Sequence, residues 1–290
     1  MATTFTNVAT LSYNGTQVLS NIAVGMIEEV LSISKYAVNE TYGEGDTLTY
    51  VVSIVNNSDS AINGLSVSDD LGAYAFGTGT VQPMDYVENS LQYYRNGILQ
   101  PDPAVATTDG LVLSDISVPA NGNVTIVYST TLNGFAPMET GGTITNTVTV
   151  EGAGVTAVTA QESVAVTNAA QLSVIKSVTP IPVAENGELT YTFQLLNSGN
   201  TAVLETDNAT ITDTFDPLLS DISVALNGTA LTAGTDYTYD EATGVFTTGN
   251  GVISIPAATY TQNPTTGEWT MTPGSSTMTV TGTVGAVSAD

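Results

Sequence analysis

An internal repeat constrains this chain more than any other feature. Leu31-Ser-Ile-Ser-Lys35 returns as Leu172-Ser-Val-Ile-Lys176, and Glu44-Gly-Asp-Thr-Leu-Thr-Tyr50 returns as Glu185-Asn-Gly-Glu-Leu-Thr-Tyr191. The offset is 141 at each anchor (176 − 35, 185 − 44, 191 − 50), with no gap between them. A spacing of that length is a whole domain, and 290 residues hold two with real cores. Lys35 and Lys176 are the only lysines. A chain that uses lysine twice, both times in register, uses it for something other than solubility.

Short runs alternate apolar with polar, as in Leu48-Thr-Tyr-Val-Val-Ser-Ile54 and Val124-Thr-Ile-Val-Tyr128. A period of two marks half-buried strands, and glycine and proline fall at turn-like intervals between them. One stretch, Val24 to Leu31, is helix-like, and it is short. The pattern predicts an all-β chain of tandem β-sandwiches.

The side chains present exclude several kinds of chemistry. The formal charge of −25, from 28 acids against 3 bases, argues against nucleic acid, whose phosphates need clustered Lys and Arg. It disfavours anionic lipid for the same reason. Most of the acids make a soluble, self-repelling surface. Asp69-Asp70 and the stretch from Asp236 to Glu241 are acidic loops that could attract a divalent cation, but neither has the spacing of a calcium loop, so no metal site is assigned. With no cysteine and no histidine, the chain lacks disulfides, thiolate ligands and the usual general base. No cofactor is expected. The start carries no signal-peptide pattern, and no apolar run is long enough to span a bilayer, so membrane insertion is not expected.

The repeat looks unequal at its ends. The first copy closes with Ile144-Thr-Asn-Thr-Val-Thr-Val150 and Ser163-Val-Ala-Val166, for which the second copy has no counterpart. A matching segment stands at the beginning: Phe5-Thr-Asn-Val-Ala-Thr-Leu11, a turn at Asn14-Gly15, then Val18 to Val24. Asn-Gly between alternating runs is a strong hairpin signal. The expected layout is an N-terminal donor hairpin over 1–30, a complete sandwich over 31–170 and an incomplete sandwich over 171–290. Phe5, Asn7, Ala9, Leu11, Val18, Ile22 and Val24 would form the donor strands. Short joins make folding back across a domain awkward, so the hairpin is expected to complete the second sandwich of a neighbouring copy. Such a contact is heterologous and need not close, which grows a filament. The competing reading is a fragment of a longer array, with an apolar sandwich edge left open.

Residues two apart on a strand share a face. Lys35 shares its face with Leu31 and Ile33, Lys176 with Leu172 and Val174, and Asn146 with Ile144 and Val148. Asn7 goes with Phe5, Ala9 and Leu11; Asp69 goes with Leu65 and Val67; Asp213 goes with Ala209 and Ile211. Asp70 should face outward, although a slip of one residue would exchange it with Asp69. Two sets emerge: Lys35, Asp69 and Asn146 within one copy, and Lys176 and Asp213 with Asn7 of the next. Burying an unpaired ammonium costs several kcal/mol. One resolution is a Lys–Asp ion pair with Asn as an extra acceptor. The other is an isopeptide bond: a desolvated neutral amine attacks the Asn carboxamide, Asp69 or Asp213 shuttles protons, and ammonia leaves. Arginine, which does not deprotonate, could not do this.

Taken in order, these segments resemble a large bacterial and archaeal surface-protein repeat family, the eleventh in a series of domains of unknown function. The resemblance rests on Lys35 and Lys176, Asp46 to Tyr50 and Gly187 to Tyr191, Ser68-Asp69 and Thr212-Asp213, and Ile144 to Thr147, and it covers nearly the whole chain. It departs at the N-terminal hairpin and at Phe5-Thr-Asn-Val8. It implies Ig-like sandwiches on a cell surface or appendage. Gram-positive pilins look similar in their Lys–Asn crosslinks with an acidic helper. The expected function is a structural subunit of an extracellular filament, on a surface or a spore, whose partner is itself. The alternative is an adhesin or carbohydrate-binding module displaying Tyr93-Tyr94, Tyr260 or Trp269. An enzyme such as a two-carboxylate glycosidase is not expected, because no motif supports it.

Overall fold

A computed structural model describes residues 2–285. The described residues contain no α-helix, only strands and one 3-10 turn at Glu205–Asp207. The chain forms two compact units, one from residues up to 137 with 143–165, the other from 138–142 with 166 onward.

The first unit is a sandwich of two antiparallel sheets. One sheet runs in the order Ile98–Gln100, Gln92–Arg95, Asn123–Leu132, Thr47–Asn56, Leu31–Ala37, with Met84–Tyr86 also pairing with Asn123–Leu132. The other runs Ala104–Ala106, Leu111–Val118, Ile62–Asp69, Thr143–Gly152, Val155–Val166, Thr41–Tyr42. Alternation dictates what is buried: Leu48, Tyr50, Val52 and Ile54 from one strand, Val124, Ile126 and Tyr128 from its neighbour. Leu65, Val67, Ile144, Val148 and Val150 answer from the facing sheet. Each such side chain stabilises the fold by about 1.5–3 kcal/mol. Ile62–Asp69 is a central strand, hydrogen-bonded to Leu111–Val118 on one edge and to Thr143–Gly152 on the other.

The N-terminal segment belongs to this unit but contributes little to its core. Ala2–Asn7 pairs with Ala23–Glu28, and Thr10–Tyr13 pairs with Thr16–Leu19 around the Asn14-Gly15 turn. The expected hairpin is therefore present. The two pairings differ by one in register (2 + 28 against 10 + 19), because Val8 and Ala9 stand opposite three residues, 20–22, on the returning strand. The helix-like stretch Val24 to Leu31 is corrected: it is strand through Glu28, because its main chain is taken by Ala2–Asn7. Phe5 lies over Gly25, where a Cβ would come within 2.3 Å of the ring. Otherwise the ribbon is bare, with Leu11, Val18, Ile22, Val24, Met26 and Ile27 exposed.

The second unit has a five-stranded sheet in the order Leu172–Thr179, Glu188–Asn197, Gly274–Val284, Leu219–Leu226, Thr229–Ala230. Glu188–Asn197 lies 141 residues after Thr47–Asn56 at both ends (188 − 47, 197 − 56), so the sequence repeat is also a structural one. Its core gathers Leu189, Tyr191, Phe193, Leu195, Phe215, Phe246, Met278 and Val280. The second layer is reduced to Thr212–Thr214, Val245–Thr248 and Tyr237–Tyr239. Thr212–Thr214 carries the Asp213 that answers Asp69, yet it is an edge strand, paired only with Val245–Thr248 among the described residues.

Candidate functional site: two lysine–aspartate pairs in unlike surroundings

In the first unit, Leu31–Ala37 and Ile62–Asp69 bring Lys35 and Asp69 together from opposite sheets. Lys35 Nζ lies 2.5 Å from Asp69 Oδ2, and both residues are only 3% exposed. Tyr128 donates its hydroxyl to the same Oδ2 at 2.5 Å, while the Leu71 N–H reaches Oδ1 at 3.1 Å. Asn146, fully buried, donates Nδ2 to Tyr128 Oη at 3.4 Å. Its Oδ1 is buried with no hydrogen-bond partner among the described residues. Lys35 Nζ also sits 4.9 Å from the centre of the Tyr50 ring, which stacks on Tyr128 at 5.7 Å.

Burial holds the Lys35 ammonium below its ordinary pKa, against the opposing pull of Asp69. Burial also raises the Tyr128 and Tyr50 hydroxyls, so both stay protonated. The site thus holds a lysine that gives up its proton more readily than an exposed one and a carboxamide whose oxygen lacks a donor among the described residues. A carboxylate and a phenol lie between them. A free lone pair on a buried carboxamide costs about 1–3 kcal/mol.

Asp70 faces away from this cluster, as parity predicts. Its Oδ1 accepts the Gly72 and Thr147 N–H groups and ties the turn to the closing strand. Gly110 packs under the same turn with φ 88°, and a Cβ there would meet the Asp69 carbonyl oxygen at 2.2 Å.

In the second unit Lys176 and Asp213 form the corresponding ion pair, but in the open. The Lys176 side chain is 38% exposed. Its Nζ hangs over Tyr191 at 4.4 Å, Phe215 at 5.4 Å and Phe193 at 5.5 Å. The expectation that both lysines are buried is corrected for Lys176 in the single chain, because among the described residues no strand covers this end of the layer. A groove of about 480 Å³ lies here, lined by Leu172, Val174, Phe193, Leu195, Ala209, Ile211, Ile253 and Ile255 together with the ion pair. Asn7 lies in the exposed N-terminal ribbon of the first unit.

Sequence parity found Lys35, Asp69 and Asn146 but missed the tyrosines. The signal was available: Tyr128 shares its face with Val124 and Ile126, and Tyr50 with Leu48 and Val52. The aromatic residues named for ligand display mostly serve the fold. Tyr93 is buried and bonded to the Ser117 carbonyl, as strand packing requires, and is not displayed to a ligand. Tyr260 donates to the Ser198 carbonyl. Asp236 and Asp240 cap turns through the Thr232 and Ala242 N–H groups, and no described group of three or more carboxylates could hold a metal ion.

No protein-family profile matches the sequence, and no curated protein matches it. The resemblance to the surface repeat family therefore rests on the motifs alone. Solved structures are similar in architecture at low identity. The major pilin subunit BcpA of Bacillus cereus matches with a TM-score of 0.38 and 12% identity over 94% of this chain and 73% of that one. The pilus backbone RrgB of Streptococcus pneumoniae matches with a TM-score of 0.34 and 12% identity over 84% of this chain. The chain spans 55% of the RrgB structure's length. A family 123 glycoside hydrolase from Clostridium perfringens matches 48% of the chain with a TM-score of 0.30. Likeness at this level carries no argument about function.

Proposed function

We propose that the chain is a structural subunit of an extracellular protein filament. In this reading the N-terminal ribbon of one copy enters the second unit of the next copy, beside Thr212–Thr214, and completes its missing layer. One observation carries the proposal: Ile62–Asp69 is sheathed on both edges, whereas its counterpart Thr212–Thr214 has, among the described residues, an open edge beside an apolar groove. An open edge and an exposed apolar patch are features that folded proteins cover. The ribbon has matching properties, being extended and apolar and carrying an Ile-Thr-Asn-like segment at Phe5-Thr-Asn7.

Crosslinks would reinforce the filament. Lys35 and Asn146 would join inside the first unit with Asp69 as proton shuttle. Lys176 would join Asn7 of the neighbouring copy with Asp213 in that role. Each bond forms between Nζ and the Asn Cγ and releases the Asn Nδ2 as ammonia. Electron microscopy of the purified chain tests the assembly. The proposal predicts long fibres, and single particles at all concentrations would contradict it.

A further inference from the structure

The cluster in the first unit contains a group that its counterpart lacks. Tyr128 faces Tyr50 across the strand pair, and at the equivalent place in the second unit Val280 faces Tyr191. The Tyr128 hydroxyl touches both Asp69 Oδ2 and the Asn146 Nδ2, the amine that would have to leave. We infer that Tyr128 is a catalytic proton relay for amide formation between Lys35 and Asn146, an inference that rests on the crosslink reading above.

The chemistry balances without any added reagent. Neutral Lys35 Nζ attacks Asn146 Cγ and passes a proton to Asp69 Oδ2. Expulsion of Nδ2 as ammonia requires that a proton reach it. Tyr128 gives its own proton to Nδ2 and takes one back from the protonated Asp69, ending unchanged. One C–N bond forms, one breaks, and ammonia is the sole by-product. The phenol suits the task because its high pKa, set by burial, keeps the proton on oxygen until the tetrahedral intermediate becomes basic. Without a relay, Asp69 would have to serve both the attacking and the departing nitrogen itself. In the second unit Val280 cannot relay, so the bond from Lys176 forms more slowly than the bond from Lys35.

The test follows intact mass against time in newly synthesised full-length chain carrying Asn7→Ala, so that only the internal bond can form. The parent should lose the mass of one ammonia. Adding Tyr128→Phe should slow that loss by about a hundredfold or more, the scale of a lost proton-transfer group, while circular dichroism stays the same. Loss at the parental rate would overturn the relay and leave the amide reading standing. A parent that never loses ammonia would remove the amide reading, and the relay with it. Should Tyr128→Phe fail to fold, a fluorotyrosine placed at position 128 keeps the shape and changes only the phenol acidity. An altered rate supports the relay, and an unaltered one contradicts it.

Discussion

Lys35 and Asp69 meet at 2.5 Å between the two sheets of the first unit, with the pair sealed from water. Their counterparts, Lys176 and Asp213, make the same pair at the mouth of a groove. One arrangement therefore exists in a closed and an open form within one chain, and in the closed form Thr143–Gly152 pairs beside Ile62–Asp69.

Removing one partner of the closed pair should be costly. In an Asn146→Ala background, where no amide can form, Asp69→Ala leaves a buried ammonium without its counter-charge. The expected loss is about 3–5 kcal/mol, read from urea unfolding at neutral pH. Asp213→Ala, beside a partly exposed lysine, should cost far less in the single chain.

The same Asn146→Ala protein should show a stability maximum in alkali. The folded Lys35 pKa lies below the ordinary 10.5, so as pH climbs toward that value the unfolded state binds more protons than the folded one, and stability rises. Tyr50 and Tyr128 have folded values above the ordinary 10.0, so their contribution is intact below that pH and is lost above it. Urea midpoints measured against pH should rise toward about 10 and then fall. A monotonic fall from neutral pH would contradict the assignment for Lys35.

Gly110→Ala should destabilise the first unit by a few kcal/mol. It combines a left-handed backbone with a Cβ only 2.2 Å from the Asp69 carbonyl oxygen. A thermal melt compared with the exposed turn variant Gly97→Ala, which meets nothing within 4 Å, separates the close contact from backbone strain alone.

Much of this was legible in the sequence. The period of two fixed which side chains of Thr47–Asn56 and Asn123–Leu132 are buried, and the 141-residue offset placed Glu188–Asn197. Face parity brought Lys35, Asp69 and Asn146 together because register is strict wherever one face is buried. In the N-terminal ribbon no core enforces a face, and the register shifts by one where residues 8–9 stand opposite 20–22. The sequence misread 24–31 as helix-like because a short apolar run carries no clear period and a distant partner strand decides its form. Tyr128 was overlooked since a tyrosine on an apolar face looks like packing until its hydroxyl is seen on Asp69.

Placing a charge in the groove should stop growth without unfolding the subunit. Ile211 lines the groove, so Ile211→Glu would bury an unpaired carboxylate under the incoming ribbon. Sedimentation should show single subunits, with circular dichroism unchanged from the wild type. Leu11→Glu on the ribbon should have the same effect, and mixing the two variants should not restore long fibres.

Boiling fibres in detergent reads the covalent joint. A ladder of multimers that collapses for Asn7→Ala is expected, and deleting residues 1–24 should abolish assembly while the first unit stays folded. Monomer alone from boiled wild-type fibres would contradict the bond between copies and leave strand donation untouched.

Cryo-electron microscopy of assembled fibres tests the central claim most directly. Density should place Phe5 to Val24 of one subunit between Leu172–Thr179 and Thr212–Thr214 of the next. Fibres in which that groove stays empty, or is filled by a segment of its own subunit, would contradict the account.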